Sequence, residues 1–539
     1  MATTDLAAVL ERDEDGALPV GLTLLAGAIA AAVLSPLVWV VANALEADGA
    51  VSLLTAPTTV EVFINSSVLV AGVTLGSLVV GVPTAFLTVR TDLPFKRGFS
   101  VLLAMPLVIP SYIGAFAFVS AFGPRGTVQG VLEPYGIESL PSIYGLLGTV
   151  LVLTLYTYPY VFLTTRAALK SMDTTLVDAA RTLGHGRREA FRRVTAPQIR
   201  PAVAAGALLV ALYTLSDFGT PSIMRYNVFT SVIYSVYGDV LGGGRDLAAM
   251  LSLQLVVVTT IILAIESRVR GSGVTAESPN TRTTLIRLGR WRWVAVAACL
   301  VVVVAALVVP LTVLTSWLAQ AGQPTTGRLA FELSYVTNSV AVATAAALVS
   351  ALAALPLAYF AARHNSRLAS LFERASYVGY AVPGVVMGLA LVYFGSTYGG
   401  WLYRNGLILL PLLVFAYVVR FLPQAVGSAR TSVQQVSGRL PEAARTLGRT
   451  PTGAFRDVTL PLVAPGIAAG AALVFLTTMK ELPATLMLRP AGFSTLVTRV
   501  WTAYGSGYVG QAALPAFVLL LVSGLSMLLI LRMEGYDVE

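Results

Sequence analysis

Residues 178–199 read DAARTLGHGRREAFRRVTAPQI, and residues 442–463 read EAARTLGRTPTGAFRDVTLPLV. Each stretch is a charged island between long apolar runs. Both follow one plan: an acid, an Ala pair, a Leu-Gly step, a Phe and then a Pro that introduces the next apolar run.

The same duplication extends outward. FINSSVLVAGVTLGSLVVGVPTAFLTVR, from Phe63, aligns with VTNSVAVATAAALVSALAALPLAYFAAR, from Val336. Asn65 matches Asn338, Pro83 matches Pro356 and Arg90 matches Arg363 at a constant offset. After a shortening in the second copy, Pro159 matches Pro423 and Pro197 matches Pro461. The chain is therefore two related halves.

What surrounds the islands is lipid-like. The 539 residues are 56% hydrophobic and 12% charged, against about 25% charged in ordinary soluble domains. Apolar stretches long enough to cross a bilayer recur near 18–45, 60–89, 98–122, 141–165, 200–222, 246–266, 293–318, 333–362, 375–395, 407–428, 462–484 and 509–531. No strand-length alternation suits a barrel, so the spans are helical. The expected fold is an all-α multi-pass membrane protein of about 12 transmembrane helices in two six-helix repeats. An even number of spans sends both repeats into the membrane in the same sense, as a parallel repeat about the membrane normal. The predicted division is 1–265 for the first repeat, 266–292 for a polar, flexible linker and 293–539 for the second, with the charged loops at about 173–197 and 437–461. The first span follows the acidic ERDEDG and is longer than a signal-peptide core, so it reads as retained.

Net charge is +9, but the placement of Lys and Arg matters more than their sum. They concentrate on the side of the membrane that carries both islands, which predicts that the islands and both termini are cytoplasmic. This distribution argues for membrane lipid rather than nucleic acid as the partner of the basic residues. The single cysteine, Cys299, excludes an intrachain disulfide and any cysteine-based metal site. His185 lacks ligand-spaced partners.

Within the first island, Leu176, Ala179, Ala180 and Leu183 fall on one face of a two-turn helix that Gly184 ends. Leu440, Ala443, Ala444 and Leu447 repeat the pattern before Gly448. A second short helix follows, capped in the second copy by Thr450 ahead of Pro451. The Ala pair allows close approach by another chain, with Leu and Phe (Phe191, Phe455) as apolar anchors and Arg as a polar rim. A helix lying on lipid headgroups would be amphipathic too, but it gives no reason for the same positions to recur in both halves.

These residues resemble the EAA loop of ATP-binding-cassette importer permeases. That resemblance implies that Asp178, Ala179, Ala180 and Gly184, with Glu442, Ala443, Ala444 and Gly448, couple the chain to two separate ATPase subunits. The first copy departs mildly, with Asp for Glu and Ala196 where Leu is usual. The fused plan, with SDFGTPSIMRYNVFTSVIYSVYG at 216–238 and KELPATLMLRPAGFSTLVTRVW at 480–501, further resembles ferric-iron permeases. Thiamine and phosphonate permeases share the plan. The resemblance also implies an extracytoplasmic substrate-binding protein and a plasma-membrane location.

No Gly-Lys dipeptide occurs, so the phosphate-cradling G-x-x-x-x-G-K-[ST] loop is absent. The sparse LGGGRD at 241–246 reads as an outer loop. The expectation is a non-enzyme that binds no cofactor of its own, with ATP held on the partners. An ion-gradient-driven transporter is the rival class. An intramembrane enzyme lacks any catalytic constellation in the spans.

Charges inside spans are costly and therefore candidate functional groups. Asp217 and Glu481 occupy equivalent positions ahead of FGTP and LPAT, towards the outer half of the membrane. Together they would make an acidic ring suited to a hard cation. Alternatively, Arg225 and Arg489, at matched spacing, or Lys480 would neutralise them. Arg420, opposite Tyr156 in the repeat, reads as a span end or helix contact. Tyr112, Tyr158, Tyr160, Tyr377 and Tyr393 are candidate passage-lining or interfacial aromatics.

Overall fold

Hydrocarbon leaves a chain few ways across other than the helix. In a computed structural model, which describes residues 20–47, 49–124, 126–136, 139–172, 174–237, 244–271, 285–320, 331–364 and 366–533, the elements are helical. The one β pairing among the described residues is an isolated bridge between Thr91 and Ile286.

The first part of the chain forms α1 (Val20–Glu46), α2 (Pro57–Arg90), α3 (Ser111–Phe122), α4 (Leu146–Ser171), α5 (Thr175–Thr182), α6 (Ala196–Ser216), α7 (Gly219–Ile223) and α8 (Gly244–Gly271). Beyond the linker come α9 (Arg292–Val303) and α10 (Val309–Gln320), joined by a π turn, then α11 (Leu333–Arg363), α12 (Arg367–Ala381) and α13 (Gly384–Tyr398). The last helices needed here are α14 (Leu409–Gln435), α15 (Arg439–Thr446), α16 (Leu460–Met479) and α17 (Pro483–Leu488).

Ten helices among the described residues are long and apolar enough to span a bilayer, or twelve if each of two bent pairs counts as one span. The bent pairs fall on the expected spans at 98–122 and 375–395. The chain turns by 94° between Val108 and Ser111, and by 101° between α12 and α13. The cause is local. Ile109 and Val382 precede Pro110 and Pro383, and a residue before proline is pushed out of the helical region; both are extended, at ψ 121° and 115°.

The chain forms two compact units, and packing divides it differently from the sequence repeat. One unit comprises residues 47–326 and 507–513. Its core is α2, α4 and α6, which approach closely because glycines sit at the crossings. A Cβ on Gly81 would lie 3.0 Å from the Tyr158 carbonyl, and one on Gly206 would lie 2.9 Å from Val161 Cα. Leu69, Val73, Leu153, Val161 and Val210 fill the seam, and Ser77 and Thr157 bridge it at 3.0 Å. The π-broken helix α9–α10 belongs to this unit, where Trp317 Nε1 donates to Ser120 Oγ on α3 at 3.0 Å.

The other unit comprises residues 1–46, 327–506 and 514–539. Here α11, α14 and α16 repeat the crossing, with a Cβ on Gly470 falling 2.9 Å from Ala425 Cα. The helix that completes it is α1, whose Trp39 ring sits 5.5 Å from Phe394 and 4.9 Å from Tyr398 on α13. Each unit thus contains the opening helix of the other sequence repeat. The cuts at 1–265 and 293–539 follow sequence similarity, whereas compactness follows which apolar surface covers which.

Of the predicted linker, residues 272–284 lie outside the described residues, as do the acidic ERDEDG segment and residues 241–243 of the Gly run. The linker's ends are not loose. Helix α8 continues to Gly271, and Ile286 donates its N–H to the Arg90 carbonyl at 2.8 Å while accepting from Asp92 N at 3.2 Å. The Asp92 carboxylate then takes the Leu288 N–H at 2.7 Å.

Gly206→Val should force α6 away from α4 and cost about 1–3 kcal/mol, read as a lower melting temperature in detergent. Gly98→Val, where a Cβ meets open space, should leave melting unchanged.

Candidate functional site

The duplicated islands fold alike. Helix α5 ends as Gly184 takes φ +85°, with His185 N donating to the Ala180 carbonyl at 3.1 Å. Helix α15 ends as Gly448 takes φ +89°, with Arg449 N donating to the Ala444 carbonyl at 3.1 Å. This is the reversal a left-handed residue allows, and glycine adopts it without strain. A second short helix follows each reversal, at Arg187–Ala190 and Pro451–Ala454. Each then opens into a π turn, Phe191–Thr195 or Phe455–Thr459, that leads into α6 or α16. The predicted cap is present: Gly453 N donates to Thr450 Oγ1 at 3.1 Å.

The apolar stripe points outward on both copies. Leu176 and Leu183 are 52% and 79% exposed, and Leu440 and Leu447 are 47% and 86% exposed. These leucines are the exposed apolar side chains of otherwise polar short helices. Asp178, Ala179, Glu442 and Ala443 are exposed with them, Ala444 is half-buried, and Ala180 turns in against its own unit. The phenylalanines also make contacts within their own unit, although Phe191 stays exposed and Phe455 is half-buried. Phe191 meets Phe86 of α2 edge-on at 5.4 Å, and Phe455 meets Tyr359 of α11 at 5.3 Å, both with planes at 87°. Each loop root is thereby fixed to the long helix of its own unit.

The rims differ. Glu189 pairs with Arg193 at 2.8 Å and lies 3.0 Å from His185, whereas the second loop has Arg449 and Asp457 at 3.3 Å. An open cavity of about 560 Å³ beside the first loop is lined by Asp178, Arg181, Thr182, His185 and Gly186. In the second unit, Arg363 Nη2 donates to the Val436 carbonyl at 2.7 Å, tying α11 to the residue just after α14.

At the other ends of α6 and α16, about 30 Å away at ~1.5 Å per residue, stand the buried carboxylates. Asp217 ends α6. Its Oδ1 accepts from Thr220 N at 2.8 Å, its Oδ2 accepts from Ser111 Oγ, and its carbonyl takes the Thr230 hydroxyl at 2.7 Å. Glu481 follows α16. It accepts from Ala484 N and Thr485 N, both at 3.1 Å, from Thr485 Oγ1 at 3.0 Å, and from Arg420 Nη1 at 2.6 Å. Both acids therefore satisfy amides freed where α7 and α17 begin.

The cation beside Glu481 is Arg420, not Arg489, which corrects the expected neutralisation and makes Arg420 the helix contact rather than the span end of its two readings. Arg489 instead reaches Ser494 Oγ at 3.3 Å. Arg225, with a left-handed backbone at φ 54°, lies 4.6 Å over the Tyr144 ring. Lys480 caps the C-terminus of α16. The pairing of Arg420 was missed because it joins residues 61 apart in the chain; the available signal was a lone Arg in a span opposite a Tyr in the repeat. Gly384 makes room for it, since a Cβ there would fall 2.4 Å from Glu481 Oε1 and 2.6 Å from Arg420 Nη1. Of the tyrosines, Tyr158 is buried and donates to the Leu103 carbonyl at 2.9 Å, Tyr112 and Tyr393 are buried, and Tyr160 and Tyr377 are half-buried.

The loops and the helices that follow them match a known sequence pattern. That of the binding-protein-dependent transport system inner membrane component fits residues 72–328 and again 354–536, one loop in each match. The chain belongs to this family. It is a multi-pass membrane permease with two fused halves, in a family whose ATPase is a separate subunit. It is 31% identical over 523 residues to the Fe(3+)-transport system permease protein FbpB 2 of Haemophilus influenzae, covering 95% of this chain and 98% of that one. It is 24% identical to the ferric transport system permease protein FbpB of Actinobacillus pleuropneumoniae, over 83% of this chain and 66% of that protein. The molybdenum transport system permease protein ModB of Mycobacterium tuberculosis matches only 39% of this chain, at 28% identity.

Glu481→Gln strands the buried Arg420 and should destabilise the permease by about 3–5 kcal/mol. Adding Arg420→Gln should recover most of that loss, and thermal melting of the single and double variants in detergent checks both.

Proposed function

We propose that this permease carries ferric ion across the plasma membrane, driven by two ATPase subunits that grip its twin loops from the cytoplasm. The observation that carries the substrate is the near-full-length similarity to a protein named for Fe(3+) transport. Thiamine and phosphonate remain the alternatives within the fused plan. Short matches to molybdenum permeases speak to the family alone.

The coupling residues on this reading are Asp178, Ala179, Ala180 and Gly184 in one loop, and Glu442, Ala443, Ala444 and Gly448 in the other. Leu176, Leu183, Leu440 and Leu447 supply the apolar contact that an ATPase cleft would cover. An extracytoplasmic binding protein delivers the ion to the opposite side. ATP stays on the partners, and this chain supplies the path and the levers. Closure of the ATPase pair pushes on α5 and α15. The aromatic contacts Phe191–Phe86 and Phe455–Tyr359 carry that push to α2 and α11, and the π turns carry it to α6 and α16.

Gly184→Leu with Gly448→Leu tests the levers. A β-carbon at φ near +85° costs about 1–2 kcal/mol per residue, and it opens the reversal that presents each leucine stripe. ATP-dependent uptake of radioactive iron in vesicles carrying the ATPase and binding protein should fall at least tenfold, with membrane insertion unchanged. Full uptake by the double variant would sink the coupling assignment. Uptake of thiamine or phosphonate instead of iron by the unmodified protein would redirect the substrate.

A further inference from the structure

The two sequence repeats place different chemistry at equivalent positions. In one unit the buried acid is Glu481, with Arg420 on it and Gly384 beside both. In the other unit the matching residues are Asp217, Tyr156 and Ser111. No ion pair to Asp217 is present among the described residues. The acid is 9% exposed and is held by neutral donors only, Thr220 N and Ser111 Oγ. Tyr213 OH in turn donates to Ser111 Oγ at 3.3 Å. Tyr213 is half-buried, so this chain of hydroxyls runs from the carboxylate to a partly exposed ring, which lies 5.8 Å from that of Tyr160. Tyr156 is 2% exposed, and its hydroxyl has no hydrogen-bond partner among the described residues. That hydroxyl lies against Gly114, one helical turn beyond Ser111, where an added Cβ would fall 2.4 Å from it.

We infer that Asp217, with the hydroxyls of Ser111 and Tyr213, is a transient station for a hard cation, and that Glu481 is occupied by a structural ion pair. A buried carboxylate left without a counter-charge is costly unless a cation or a proton joins it. Apart from the Thr220 amide, the side chains joined to Asp217, Ser111 and through it Tyr213, offer hydroxyl oxygen, the donor class that hard cations prefer. Glu481 is already satisfied by a guanidinium and has no need of a passing ion. A single carboxylate among neutral oxygens holds a cation without trapping it, which suits a step along a path. The inference rests on the ferric-ion reading and narrows its cation pathway to one unit.

The test is uptake of radioactive ferric ion, presented on the binding protein, by vesicles containing the whole permease and its ATPase. Asp217→Asn keeps the shape of a protonated acid and removes the charge. The second variant, Tyr156→Arg with Ser111→Gly, rebuilds the arrangement of the other unit and gives Asp217 a permanent cation. Both should cut uptake at least tenfold. Melting of the second should be unchanged or higher, a combination that a merely structural acid would not produce. Uptake within twofold of the unmodified protein in either folded variant overturns the station and leaves the ferric reading standing. Absence of iron uptake by the unmodified permease overturns the reading and the station together.

Discussion

A helix that breaks inside a membrane frees amides that lipid cannot satisfy, and the arrangement of this permease depends on how those amides are met. In each unit a carboxylate meets them. Asp217 takes the amide of Thr220, and Glu481 takes those of Ala484 and Thr485. The breaks end α6 and α16 and start new short helices, so a polar turn can exist at depth. The charge brought in to serve the backbone then raises its own demand. One unit answers with Arg420 and the other with hydroxyls alone.

The features legible in the sequence were those set by near neighbours in the chain. The reversals at Gly184 and Gly448, the cap at Thr450 and the twofold repetition all depend on residues within a turn or two, and the structure contains each of them. The helix breaks at Pro110 and Pro383 were equally local, yet hydropathy averages over a window and passes straight through them. What could not be read was set by distance along the chain. Arg420 could be read as a span end or a helix contact but not matched to Glu481, because that partner lies far downstream. Phe191 and Phe455 read as apolar anchors for a partner, and periodicity could not show that each also packs on the long helix of its own unit. Tertiary packing assigned both.

The repeat is thus faithful in backbone and divergent in chemistry. Glycines at the crossings, Gly206 and Gly470, sit over equivalent residues of α4 and α14 and hold both three-helix cores to one geometry. The serines Ser66 and Ser339, matched in the repeat, each accept an amide hydrogen, from Phe229 and Leu496 respectively. Against that shared frame, swapping Ser for Gly, Asp for Glu and Tyr for Arg changes the charge of a buried cluster with little change in its shape. A fused chain permits this, because two halves encoded separately in one gene can drift apart, whereas two identical subunits cannot.

The exchange of opening helices has a consequence for how the protein is made. Helix α1 leaves the ribosome long before the residues that cover it in its unit, which begin at Leu333. At translation rates of about 5–20 residues per second it waits roughly 15–60 s for them. Through that interval its Trp39 face lacks the Phe394 and Tyr398 rings that cover it in the folded unit, and the bilayer is the apolar surroundings at hand. The other unit likewise cannot close until α9 and α10 emerge, which makes the inter-repeat segment a timing element in biogenesis as well as a tether.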